Sequence, residues 1–454
     1  MLLRPYQADA LAKIQAVYRS GRRRVLLVAP TGSGKSAMTS YMLERSKKTT
    51  LILVHRGELL DQIAESMTVP YGIIGGQRPT PTERIHIGMV QTVVRRLHAL
   101  PRYEWVASDE AHLAMSPTWR QVLAHYSTAW HLGMSASPCR LDGIGLGAEY
   151  EQIVYGPSIR ELTERGYLVR CRVFAPTIEG PVSRNKSGPE NLTAAAEEID
   201  RPTIIGDVIG HFRRIAGPRQ AIVFCCTRQH ADHVATDFSR AGIPALAVDG
   251  SMPRAEQTRK IDAFRARAVQ VLVNVDLLTT GFDCPQIEVG VFLRPTQSLA
   301  LYLQMVGRIL RIHPGKQDSI LLDHVGNVMR FGMPDEDREW TLDGRLKKVS
   351  ATPVAQCPKC YAAHRPAPRC PACGYVYAAT PTQRVMIERE GHLEEIDAER
   401  LKWLREQKLH VLLEAAKTRD DLEEIRKARR YHPRWTIIQM ELRAGRRVPR
   451  RWAA

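Results

Sequence analysis

Residues 29–36 read APTGSGKS, set between the apolar run VLLVAP and the helix-like SAMTSYMLERS. Thr31, Gly32, Ser33 and Gly34 are small enough for a backbone to curl until its N–H groups and a helix N-terminus converge on a polyphosphate. In such a loop Lys35 reaches the outer phosphates of ATP and the Ser36 hydroxyl ligates Mg²⁺. The strict pattern opens on Gly, and Ala29 stands in its place, so the permissive form is matched. A plain Gly-Ser turn is the bland alternative, and the preceding strand with GKS at a helix start argues against it. Further on, SDEAH (residues 108–112) closes another apolar run. Phosphoryl transfer needs one carboxylate to hold Mg²⁺ and another group to orient water, roles open to Asp109 and Glu110.

Two more stretches carry chemistry. QMVGRILRIHPG, residues 304–315, sets Arg308 and Arg311 three residues apart behind a glycine. On a helix that spacing puts both on one face, either as a solvated charged face or aimed at an anion. CPKC and CPAC place Cys357, Cys360, Cys370 and Cys373 in two knuckles, nine residues apart. Four thiolates so arranged close a tetrahedron around a structural Zn²⁺ and leave no open position for catalysis. His364, inside the spacer, is a substitute ligand. Cys139, Cys171, Cys225, Cys226 and Cys284 are scattered and read as reduced core thiols.

The elements that must position these groups alternate. Short β-like runs such as VLLVAP, LILVH and WVAS are separated by helical ones, and the same grammar returns with QAIVFC, VQVLVNV and IEVGVFLRP. Strands separated by helices imply parallel sheets with ligands at the strands' carboxyl ends. The expected boundaries are 1–167 for a first α/β domain, 168–200 for a polar connector and 201–345 for a second α/β domain. A zinc module at 353–377 and a helical basic region at 378–454 follow.

At 454 residues, two or three domains are expected. A net charge of +17 and a pI near 9.6 suit a partner of polyphosphate, nucleic acid being the commonest. No apolar run has the length of a membrane span and Met1 leads into LLRPYQADAL, so no membrane partner and a cytoplasmic location are expected. From Arg426 onward the chain carries ten Lys/Arg, one acidic residue and interleaved Tyr431, Trp435 and Trp452. Such residues can neutralise phosphates and stack on bases, though YHPRW also reads as a packing corner.

These motifs, in this order, resemble those of the superfamily 2 helicases of the DEAD/DEAH-box kind. LRPYQADAL is similar to the segment whose glutamine, here Gln7, contacts adenine. LILVHRGELLDQ, with His55 and Arg56, resembles motif Ia, and GMVQTV, with Thr92, the next nucleic-acid-contacting segment. LGMSASPCRLDG resembles motif III, with Ser135 and Ser137 where SAT or TAT is usual, and AIVFCCTRQHADHVA resembles motif IV. TTGFDCP resembles motif V, Thr279, Gly281 and Asp283 matching its TxGxD core, with Gly281 and Asp283 on the nucleotide and Thr279 on the coupling side. QMVGRILR matches QxxGRxxR of motif VI, which makes Arg308 and Arg311 arginine fingers.

The resemblance implies two tandem RecA-like domains that bind ATP and Mg²⁺ between them and move on or remodel DNA. RNA, or an ATP-switched binding or annealing protein, is the alternative. A narrower likeness joins the run from AIVFC to FGMP, and the Cys₄ module after it, to bacterial and phage proteins resembling the DNA-repair helicase RadD. It implies DNA repair, recombination or phage DNA metabolism.

Overall fold

The computed structural model describes residues 2–75, 79–113, 116–138, 145–175, 202–277, 284–343, 354–360 and 362–377, and then 403–404, 406–429, 431 and 435–444. The chain forms two compact units, Met1–Ala379 and Thr380–Ala454.

The first unit contains two sheets. Its first seven strands are β1 (Arg24–Val28), β2 (Thr50–Val54), β3 (Gly72–Ile74), β4 (Ile85–Met89), β5 (Trp105–Ser108), β6 (Trp130–Ser135) and β7 (Gln152–Tyr155). They pair throughout in parallel in the order β3-β4-β2-β5-β6-β1-β7. Helices cover both faces of such a sheet, which is why RVLLV and TLILV are apolar without alternation and almost wholly buried. β5, β6 and β1 are neighbours, so the loops leaving their carboxyl ends share one crevice.

The second sheet contains β8 (Arg170–Phe174), β9 (Ala221–Phe224), β10 (Ala245–Asp249), β11 (Val271–Val275), β12 (Val289–Phe292), β13 (Asp318–Asp323), β14 (Ala355–Gln356) and β15 (Ala362–His364). Their order is β10-β11-β9-β12-β13-β8-β15-β14. Two boundaries differ from those drawn on the sequence. Residues 170–174, placed in the connector, are a strand parallel to β13, because Val173 and Phe174 are apolar enough to join the second core. The Cys-rich stretch is not a separate bead either. Its hairpin β14–β15 pairs antiparallel with β8, and Cys357, Ala362, Ala363 and Cys370 belong to the core of the second sheet. Between β13 and β14 the chain crosses back to the first domain. Trp340 and Leu342 pack on that core, and Leu342 O accepts from Gly147 N–H at 2.9 Å.

The second unit has its own small core of Leu404, Leu412, Leu422, Ile425 and Ala428. The helices Leu409–Ala415, Arg419–Arg429 and Trp435–Arg443 supply it. Arg429 donates to the Leu404 and Gln407 carbonyls, and Arg443 to those of Ala416 (2.8 Å) and Leu413. These guanidinium groups therefore satisfy carbonyls that helix ends leave open. Trp435 packs against this core and against the Tyr431 ring, centroids 5.0 Å apart, which is the packing-corner alternative. Arg446, Arg447, Arg450, Arg451 and Trp452 lie outside the described residues. Among the described residues no helix is long and apolar enough to cross a membrane.

Candidate nucleotide site between two sheets

The loop after β1 turns on Gly32 and Gly34, with φ of 88° and 79°. A Cβ would strain both, and at Gly34 it would also fall 2.3 Å from Gln7 Nε2. The loop is held from the first helix, Pro5–Arg19. Gln7 Nε2 (3.1 Å) and the Tyr6 hydroxyl (3.0 Å) both donate to Ser33 O, while Gln7 Oε1 accepts from Arg4 N–H at 3.0 Å. The Gln7 amide thus braces the loop through its nitrogen and caps its own helix through its oxygen. Lys35 starts the helix Lys35–Arg45 and donates to Ala29 O (3.1 Å) and Pro30 O (3.3 Å). Burial pulls its pKa below the usual lysine value, opposed by the Glu110 and Asp109 carboxylates.

The loop after β5 brings the two carboxylates opposite. Asp109 accepts the Glu110 N–H at 3.0 Å. Burial, reinforced by Glu110, raises its pKa to about 6. Glu110 has a φ of 52°, a left-handed conformation that costs a non-glycine residue about 1–3 kcal/mol and aims the side chain. His112 Nδ1 lies 3.4 Å from Glu110 Oε2 and 3.3 Å from Ser135 Oγ, which accepts the Ser137 N–H at 3.2 Å. Burial drops the His112 pKa to about 4, so the ring is neutral near pH 7. The motifs at the ends of β5 and β6 are thereby joined through His112 and Ser135, and the β1 loop shares a cavity with Asp109 and Glu110.

The second domain supplies the facing wall. The helix Leu299–Gly307 stops before both arginines, which corrects the expectation that they share a helical face. Arg308 and Ile309 form a turn instead, and Ile309 and Leu310 are both buried in the core of the second sheet. The chain then runs extended, Arg311 bridging to Leu168 and Leu310 O accepting from Val169 N–H at 2.9 Å. Both guanidinium groups nevertheless line the same cavity of about 570 Å³ as Thr31, Gly32, Gly34, Lys35, Ser36, Asp109 and Glu110. Burial lowers each arginine pKa to about 10, with Glu110 and Asp109 supporting the charge of Arg308. Gly307 lies close against the first domain: a Cβ there would sit 2.5 Å from Thr31 Cβ.

The remaining candidates divide. Arg56 donates to the carbonyls of Asp276 (3.3 Å) and Leu277 (3.4 Å), tying the first domain to the second beside motif V. His55 has a buried, unpartnered Nδ1, and burial with Arg56 holds its pKa near about 4. Thr92 lies half-buried on the helix Val90–Arg96, away from the cavity lining. Thr279, Gly281 and Asp283 lie outside the described residues. Sequence reasoning missed Arg4, Tyr167, Pro285 and Ile312, which also line the cavity and carry no motif of their own. It also missed the packing duty of Gly307, which the GR of the quoted stretch could have suggested.

The chemistry of the donors fits a nucleotide with a divalent cation. Seven charged residues line the cavity, the Ser33 hydroxyl of the loop is buried with no partner, and burial beside Glu110 raises the Asp109 pKa, a repulsion that a divalent cation would relieve. The four thiols of Cys357, Cys360, Cys370 and Cys373 lie within 4.8 Å of one another, with Sγ–Sγ distances of 3.6 and 3.7 Å across the knuckles. Four sulfurs so close fit a single tetrahedral ion. His364 is no substitute ligand, since its ring nitrogens pair with Arg365 O (2.6 Å) and the Tyr377 hydroxyl (2.7 Å).

Comparison with known proteins gives two family matches. "Type III restriction enzyme, res subunit" covers residues 1–140, and "Helicase conserved C-terminal domain" covers residues 203–313. A 51.5 kDa protein of a Lactococcus phage is 29% identical, over 84% of this chain and 85% of its own. A Schizosaccharomyces pombe protein provisionally named as the mitochondrial ATP-dependent helicase irc3 is 28% identical over 73% of this chain, which spans only 58% of that protein. The fold is shared with a fragment, provisionally named as an HsdR subunit of a type I restriction enzyme, from Vibrio vulnificus YJ016. The TM-score is 0.59 at 23% identity, over 73% of this chain and 65% of that one. With both helicase domains in order and their motifs closing on one cavity, the chain belongs to the superfamily 2 helicases, ATP-dependent enzymes that act on nucleic acid.

Proposed function

We propose that this protein is an ATP-driven DNA helicase or translocase. The observation that carries the reading is that Lys35, Asp109 and Glu110 from one sheet and Arg308 and Arg311 from the other line a single cavity. Ser36 and Asp109 are the groups that would hold Mg²⁺, which when bound neutralises phosphate charge. Lys35 meets the outer phosphates, Glu110 orients the attacking water, and the two arginines oppose charge developing in the transition state. Because the arginines reach that charge only across the cleft, opening and closing of the two domains is coupled to hydrolysis. The Arg56 contacts and the Ser135–Ser137 turn would carry that motion toward nucleic acid. The cysteine cluster holds one structural Zn²⁺. The domain limits follow the sheets: first domain to about residue 167, second from β8 through the Cys₄ hairpin.

DNA is preferred because the solved neighbour and one of the two matching families are named after restriction enzymes, and the +17 charge suits nucleic acid of either kind. The narrower likeness to RadD-like proteins points to DNA repair or phage DNA metabolism. ATPase activity titrated with single-stranded DNA, duplex, forks and RNA tests the reading. Stimulation by DNA, with strand displacement or translocation, is the expected result. Stimulation by RNA alone makes the protein an RNA helicase, and hydrolysis without movement makes it an ATP-switched binder.

A further inference from the structure

Beyond the arginines themselves, the loop that carries them is held by a residue outside every motif. Lys316 follows a turn at Gly315, where φ is 83°, and its side chain runs back under that loop. Its ammonium donates to Ile309 O (2.8 Å), Pro285 O (3.2 Å) and Ile287 O. An ammonium has three donors, and here three main-chain carbonyls take them all. Ile309 stands between Arg308 and Arg311 in the chain, whereas Pro285 itself lines the nucleotide cavity just after motif V. One side chain therefore ties together two stretches of the second domain that face the nucleotide.

We propose that Lys316 is a positioning residue for hydrolysis, setting Arg308 and Arg311 relative to the wall at Pro285. This rests on the reading of the two arginines as fingers. A guanidinium displaced by about 1 Å loses on the order of 10²-fold in rate, whereas nucleotide affinity depends mainly on the loop and lysine of the other domain. Lys316 acts on the turnover step, and ATP binding is left to the first domain.

The test uses the full chain. Lys316→Met should lower kcat for ATP by about 10²-fold while KM and the fraction of chains binding a non-hydrolysable ATP analogue stay at wild-type values. Lys316→Arg keeps the charge, but its planar fork cannot meet three converging carbonyls, so it should show the same split; it also serves if the Met variant does not fold. Combined with Arg311→Ala, Lys316→Met should add little, because both remove one function. Wild-type kcat in both Lys316 variants overturns the proposal. So does a loss explained by fewer nucleotide-binding chains, or one that multiplies fully with that of Arg311→Ala. If Arg311→Ala itself turns over at the wild-type rate, the finger reading fails and this proposal with it. An impaired Arg311→Ala beside unimpaired Lys316 variants sinks the Lys316 proposal alone.

Discussion

Two regions of this chain are rich in arginine, and the structure uses them in opposite ways. Arg308 and Arg311 belong to the second-sheet domain, with Arg308 buried, and line a cavity with Lys35 and two carboxylates. Arg429 and Arg443 belong to the C-terminal unit, which is denser in Lys and Arg, yet they spend their donors on carbonyls at helix ends. The difference is the acceptor within reach. A guanidinium next to open helix carbonyls satisfies them and is removed from ligand chemistry. One buried where the nearby acceptors are carboxylates of another domain stays charged and oriented toward the space between them. Local charge density is the poorer guide, and burial against a facing wall is the better one.

The comparison breaks most sharply at the cleft. Arg308→Ala or Arg311→Ala should leave folding and ATP binding intact, since the phosphate loop is on the other domain, while hydrolysis falls by roughly 10³–10⁵-fold. Lysine should rescue poorly wherever a forked contact is made. Single-turnover hydrolysis alongside nucleotide binding decides it, and wild-type turnover in both alanine variants would remove the assignment. Lys35→Ala differs by weakening nucleotide affinity as well. Gly307→Ala should act without touching a charge. Its Cβ would meet Thr31 at 2.5 Å, so the domains must separate by a fraction of an ångström or more, and kcat should fall by about 10²-fold. An unchanged kcat would show that the cleft closes differently during turnover.

A smaller effect is expected at the cysteine module. Elemental analysis of protein purified without chelators should find one zinc per chain, and a value near zero refutes the site. Cys370→Ser should unfold the hairpin locally and leave ATP binding in place. Since β15 pairs with β8, amide exchange in residues 170–174 should quicken in that variant and after chelation. Protection unchanged in β8 would mean that the strand is held by β13 alone.

What could be read beforehand was local. APTGSGKS, SDEAH and GRILR each announce a chemistry through residue type and spacing, and the alternation of apolar runs with helices announces two parallel sheets. What could not be read depends on contacts between segments far apart in the chain. β8 looked like a connector because its burial is supplied by β13, some 150 residues later. The Cys₄ stretch looked independent because its spacing describes the ion and says nothing of the sheet edge beside it. Arg311 looked helical because the i, i+3 spacing is also met by a helix end followed by an extended turn. For Gln7 the resemblance names adenine, and its contacts with Ser33 and Arg4, which no motif announces, appear only in the fold.

The smallest effect sharpens the other half of the comparison. Within the C-terminal unit, Arg429→Ala and Arg443→Ala each strand buried or half-buried carbonyls and should cost that unit about 1–3 kcal/mol in its own unfolding transition, with ATPase unchanged. Neither should alter the salt dependence of nucleic-acid binding, because their donors already have acceptors. Truncation after Gly445 removes Arg446, Arg447, Arg450 and Arg451, a run with no acidic neighbour in sequence. If these contact phosphates, the slope of log affinity against log salt should become shallower by up to about 3–4 units, with little effect on the unit's stability. A double dissociation is therefore expected: stability without salt slope for Arg429 and Arg443, salt slope without stability for the terminal run. If Arg443→Ala instead flattened the salt slope, the guanidinium would be exchanging helix carbonyls for phosphates on binding, and the contrast with Arg308 and Arg311 would become one of timing instead of role.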